Sequence, residues 1–158
     1  MSALKRVGTR VRADECGFTL PEVLIVCVVL GILAAIALAQ FLGNSRKADD
    51  ADAKSNARSL QAQVESCFTD AQDFGSCTGS GPADQLGSNL GLPMGSSAGE
   101  VHVSATTQST YEITAVSKAS SGGANHRFML SRDPVGRVQH TCVAGPTNSD
   151  GGCHGGFW

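Results

Sequence analysis

Apolar and polar residues fall in three successive patterns along the chain. From Pro21 to Leu42 the run PEVLIVCVVLGILAAIALAQFL is apolar except for Glu22 and Gln40. As a helix rising 1.5 Å per residue it reaches about 33 Å, enough to cross a bilayer. Pro21 marks the helix start, because in a first turn its missing N–H removes a donor that has no intrahelical partner. Beyond Leu42 the pattern turns amphipathic, with Ala53, Ala57, Leu60, Val64 and Cys67 spaced by four, three, four and three. One long helix is therefore expected, continuous from the span into the polar region. Residues 79–99 carry six Gly, four Ser and two Pro and read as a long loop with one helical turn inside it. β-rich stretches follow at 100–106, 110–117, 126–132 and 135–143, separated by SSGGAN and by an Asp133-Pro134 turn. The predicted class is α+β: a long N-terminal helix, half membrane-spanning and half amphipathic, packed on a four-stranded antiparallel sheet. The helix stripe would dock on Val101, Val103, Ile113, Phe128, Leu130 and Val138.

The length of 158 residues has room for one modest domain beside a membrane segment. With 19 Gly and few aromatics, the core outside the span should be small and in need of support. Cysteines supply a candidate. Cys16 precedes the span and Cys27 lies within it, leaving Cys67, Cys77, Cys142 and Cys153. Of three possible connectivities, the short separations favour Cys67 to Cys77 and Cys142 to Cys153, which implies an oxidising compartment. Metal binding, with His154 added, is the alternative, but the close pairs typical of zinc sites are missing.

Charge adds an orientation. Residues 1–17 hold Lys5, Arg6, Arg10 and Arg12 against Asp14 and Glu15, while the remainder is mildly acidic. A basic head before an apolar span places the N-terminus in the cytoplasm and the rest outside. The acidic remainder gives no footprint for nucleic acid. Asp49, Asp50, Asp52, Lys54, Arg58 and Glu65 lie largely off the helix stripe and read as a solvated face.

Most candidate chemistry dissolves on inspection. His102, His126 and His140 lie on or beside predicted strands without ligand spacing and read as sheet-surface histidines. No nucleophile motif is visible, and Asn148, Ser149 and Asp150 fall short of a calcium loop. Neither catalysis nor a cofactor is expected. One group stands apart: Glu22 at the head of the apolar run. An ionisable side chain costs roughly 2.5–3.5 kcal/mol at the centre of a membrane helix, less near its end, so this carboxylate calls for a partner charge.

A short basic leader, then Gly17, Phe18, Glu22 and an apolar helix, closely resemble the prepilin signature of type IV pilins and pseudopilins. The resemblance implies that a membrane peptidase facing the cytoplasm cuts after Gly17 and methylates the new amine of Phe18, with Glu22 the fifth mature residue. The α-amino group, with a reference pKa of about 7.7–8.0, would be the cation that pairs with a neighbouring subunit's Glu22. The resemblance extends to the cysteine pair closing the helix, the Gly-rich loop and the terminal cysteine pair. It departs at Ala39, where many members of the family have a proline that lets the helix unwind.

The organisation expected is a leader at 1–17, a transmembrane or filament-core helix at 18–42 and an extracellular globular domain at 43–158. The function implied is a structural subunit of an extracellular type IV pilus, first held in the cytoplasmic membrane and then built into a homo-oligomeric helical filament. Its implied partners are prepilin peptidase and a pilus assembly platform and motor. The alternatives are a pseudopilin of a type II secretion or DNA-uptake machine and an uncleaved membrane-tethered binding module.

Overall fold

The computed structural model describes residues 18–79, 86 and 90–158, with only the backbone at 39, 40, 42 and 43. The leader, including Cys16 and Gly17, lies outside the described residues, as does most of the first half of the Gly-rich loop. The chain divides into two compact units at Ala39 and Gln40. Helix α1 covers Leu20–Ala71.

In the second unit, α1 is accompanied by strands β1 (Val101–Thr106), β2 (Tyr111–Ser121), β3 (Ala124–Arg132) and β4 (Val138–Val143). The four form one antiparallel sheet in the order β1-β2-β3-β4. Each strand pairs with its chain neighbour, which short reversing connections permit. The helix stripe is buried at Ala53, Ala57, Leu60, Val64 and Cys67, in one core with Val101, Ile113, Ala115, Phe128, Leu130 and Cys142. Val103 and Val138 pack at its edge.

The strand ends differ from the sequence pattern for local reasons. β2 and β3 run on to Ser121 and Ala124, leaving Gly122 (φ 64°) and Gly123 (φ 83°) as the whole turn. Two consecutive positive φ angles suit a tight hairpin whose twist matches its strands, and glycine takes them without a Cβ penalty. A bulge between Val116 and Ser120 interrupts the ladder. Ser117 Oγ accepts from the Ala119 amide at 3.0 Å, and Asn125 Nδ2 donates to the Ser117 carbonyl, also at 3.0 Å. Residues 135–137, expected in β4, instead form a turn, because Asp133 Oδ1 accepts from the amides of Val135 and Arg137 at 3.0 and 2.8 Å. A 3-10 turn at Phe74–Ser76 follows α1, capped by Asp73, whose carboxylate accepts from the Gly75 amide. Phe74 carries that turn into the core, edge-on to Tyr111.

Cys67 is joined to Cys77 and Cys142 to Cys153. The first ties the end of α1 to the segment beyond the 3-10 turn. The second ties β4 to a tail that also bonds it through Cys142 N–H to Gly156 O and Trp158 N–H to His140 O. Loops of this size remove unfolded-chain entropy worth about 3 kcal/mol in the loop-closure treatment. The double substitution Cys142→Ser/Cys153→Ser is expected to lower unfolding free energy by about that amount, read as a lower urea midpoint in micelles.

Candidate assembly surface

The surface that the chain leaves uncovered begins at its first described residue. Phe18 is exposed, and Thr19 starts α1 by accepting from the amides of Glu22 and Val23 at 3.0 and 3.2 Å. Pro21 therefore falls in the first turn, where no donor is lost. Glu22 also sits there, beside backbone N–H groups that carry the positive end of the helix dipole. Its side chain is exposed and has no ion-pair partner among the described residues.

Leu20–Leu38 is long and apolar enough to cross a membrane and is wholly unburied within the chain. Exposed Val23, Leu24, Ile25, Val26 and Val28 show that apolar groups occupy every side of the helix. A helix apolar all round belongs in lipid or in a bundle. Gly31 and Ala34, Ala35 fall three and four residues apart and share a face. A Cβ built on Gly31 would meet nothing within 4 Å, so nothing in its own chain requires glycine there. Cys27 is a free, exposed thiol in the same stretch.

Two polar networks in the second unit correct the solvated-face reading. Asp50 and His126, at 3% and 2% exposure, are buried, with Nδ1 at 3.0 and 3.1 Å from the two carboxylate oxygens. Asp50 stands three residues before Ala53 and so continues the buried stripe. His126 lies on the helix-facing side of β3 with Phe128 and Leu130. Glu65 accepts from the Tyr111 hydroxyl at 2.9 Å and pairs with Arg132 at 2.7 Å. Burial and the bond to Glu65 push the Tyr111 hydroxyl's pKa well above its ordinary value. Lys54 is also engaged, donating to Gly151 O at 2.7 Å with Nζ 4.7 Å from the Phe128 ring centre. Burial lowers its pKa, with Asp50 opposing and Arg58 adding to the shift. Asp52 and Arg58 are exposed, as a solvated face requires.

His140 is half-buried against Trp158, and burial, then the nearby Arg58 guanidinium, lower its pKa. The folded state thus prefers the neutral ring. Its contribution is complete above the unfolded value of about 6.5 and lost as pH falls through the lower folded value. His140→Gln is expected to flatten the fall in urea midpoint below pH 6.5, relative to the parent chain, in a titration from pH 7 to 5.

Residues 12–38 match the family model of the prokaryotic N-terminal methylation motif. The chain carries the prepilin-type methylation motif. The "Type IV major pilin protein PilA" of Myxococcus xanthus (strain DK1622) is 33% identical over 90 residues, 55% of this chain and 40% of that protein. The "Type II secretion system core protein G" of Dickeya chrysanthemi is 41% identical over 49 residues, 31% of this chain and 32% of its own. The "Type IV major fimbrial protein FimA" of Dichelobacter nodosus is 35% identical over 61 residues, 39% of each chain. The chain spans less than half the length of each of these relatives, and no solved structure matches it. The methylation motif covers Phe18, Thr19, Glu22 and the exposed apolar helix through Leu38, so the described part of the stretch shared with the family model is unburied.

Proposed function

We propose that this chain is a structural subunit of an extracellular type IV pilus. It is made as a precursor in the cytoplasmic membrane with residues 1–17 as leader, cut between Gly17 and Phe18, and methylated on Phe18 by prepilin peptidase. The platform and motor then lift it from the membrane into a homo-oligomeric filament. The observation that carries this reading is the methylation motif set on a helix whose apolar surface is exposed on every side. Lipid covers that surface before assembly and neighbouring copies cover it afterwards.

Moving from lipid to a helical bundle gains little hydrophobic energy, so close packing at Gly31, Ala34 and Ala35 supplies contact. Pairing of Glu22 with the cationic amine of a neighbour's Phe18 supplies the axial register. In the exported unit, the Cys67–Cys77 and Cys142–Cys153 bridges, the buried Asp50–His126 hydrogen bond and the Glu65–Arg132 ion pair hold the outer domain while the filament bears load.

The similarity to type II secretion core protein G favours a second reading, a pseudopilin sharing the same N-terminal chemistry. The Cys142–Cys153 bridge that pins the tail to β4 favours the pilus. Immunogold electron microscopy of sheared surface material decides between them. Long labelled filaments support the pilus, and label confined to the envelope under normal expression supports the pseudopilin.

A further inference from the structure

The buried Asp50–His126 pair extends to a third group. His126 Nε2 lies 2.9 Å from Ser121 Oγ, and Ser121 is only half-buried. A carboxylate only accepts hydrogen bonds, so Nδ1 carries the ring proton toward Asp50. In the neutral ring this tautomer leaves the Nε2 lone pair facing the Ser121 hydroxyl, which then donates to it. A carboxylate orienting an imidazole whose other nitrogen receives a serine proton is the arrangement that activates a serine nucleophile.

The backbone holds this arrangement in place. Ser121 and Ala124 are paired across the hairpin, so Ser121, Ala124 and His126 share the helix-facing side of the sheet. Asp50 reaches His126 from α1, against Gly151, where an added Cβ would collide with the carboxylate. Ser121 is partly exposed at the hairpin turn, where a Cβ on Gly123 would meet nothing within 4 Å and one on Gly122 would stand 3.6 Å from Pro146 Cγ. On the other side a Cβ on Gly145 would stand 3.5 Å from Ser121 Cβ and collide with the Asp150 carboxylate, so Asp150 lines that flank of the serine.

We propose that Ser121 is an acylation site, activated by His126 and positioned through Asp50, which accepts a short acyl group from an activated ester or thioester. A bond forms between Ser121 Oγ and the acyl carbon while the carbon's bond to its alcohol or thiol breaks. The serine proton passes to His126 Nε2 and on to the leaving group. Ser121 is a stoichiometric acceptor in this reaction, and the inference stands independently of the pilus reading.

The test uses the full chain in detergent micelles with p-nitrophenyl butyrate. Trypsin then releases Ala119–Arg127, which contains both Ser120 and Ser121. Ser120 is exposed, so fragment mass spectrometry has an internal reference one residue away. General-base assistance is typically worth 10²–10⁴-fold, so the initial rate of butyrylation at Ser121 is expected to exceed that at Ser120 by about 100-fold or more. In urea the ratio should fall to about one. Asp50→Asn lets an amide donate to Nδ1 and turns an N–H toward Ser121, so it should bring the ratio close to that unfolded value. Equal acylation of Ser120 and Ser121 in the folded parent chain, or no adduct on Ser121, overturns the proposal whatever the variant does.

Discussion

Replacing Glu22 with alanine is expected to leave precursor insertion at the parental level and to reduce the subunit in sheared filaments by on the order of 100-fold or more. The span has enough apolar length without this residue, so membrane partitioning does not depend on it. Under the proposed pairing assembly does depend on it, because the variant would bury the methylated amine of a neighbour without a counter-charge. Breaking one side of a buried pair costs roughly 3–5 kcal/mol, more than an exposed ion pair contributes. Glu22→Gln separates charge from hydrogen bonding and should restore only a small part of the yield. The measurement is quantitative immunoblotting of membrane and sheared fractions with each variant as the sole subunit. Parental filament yield from Glu22→Ala would remove the pairing from the account.

Phe128→Ala should produce the largest loss of domain stability. The ring is fully buried between the helix stripe and the sheet, edge-on to Trp158 and beneath the Lys54 ammonium. Truncation removes these contacts together and leaves a cavity, a change that costs about 3–5 kcal/mol. The thermal midpoint of the outer unit should fall by roughly 10–25 °C, followed by circular dichroism in micelles. Phe157→Ala is the control, since that ring is largely exposed and its loss should be close to neutral. A similar small shift for both would show that the core is organised around other contacts.

Much of the architecture was legible because it is written in hydrophobic spacing. Ala53, Ala57, Leu60, Val64 and Cys67 announce the buried face by period alone, and Ile113, Phe128 and Leu130 announce the face of the sheet. The buried polar groups were hidden from the same reasoning. Asp50 occupies the next position on the stripe, but a carboxylate is ordinarily assigned to solvent unless its partner is known. That partner, His126, lies 76 residues away and comes close only when the sheet forms. Glu65 was hidden likewise, since Tyr111 and Arg132 reach it from β2 and β3. The extra length of β2 and β3 has a visible signal in Gly122-Gly123, which accommodates a two-residue turn as readily as a longer loop.

The N-terminal surface was legible for a different reason: its chemistry is local. Phe18, Thr19, Pro21 and Glu22 lie at the helix start and the apolar run follows directly, so no tertiary contact has to be foreseen. What the fold adds is that Leu20–Leu38 is unburied among the described residues. That exposed apolar surface is the reason for reading it as a place of assembly.

Mass spectrometry of the N-terminal peptide from material sheared off the cell surface tests the central claim most directly. The expected product is a peptide beginning at Phe18 with its amine methylated. Intact Met1 found only in the membrane fraction, with no chain in the sheared fraction, would contradict it and favour a permanently tethered protein.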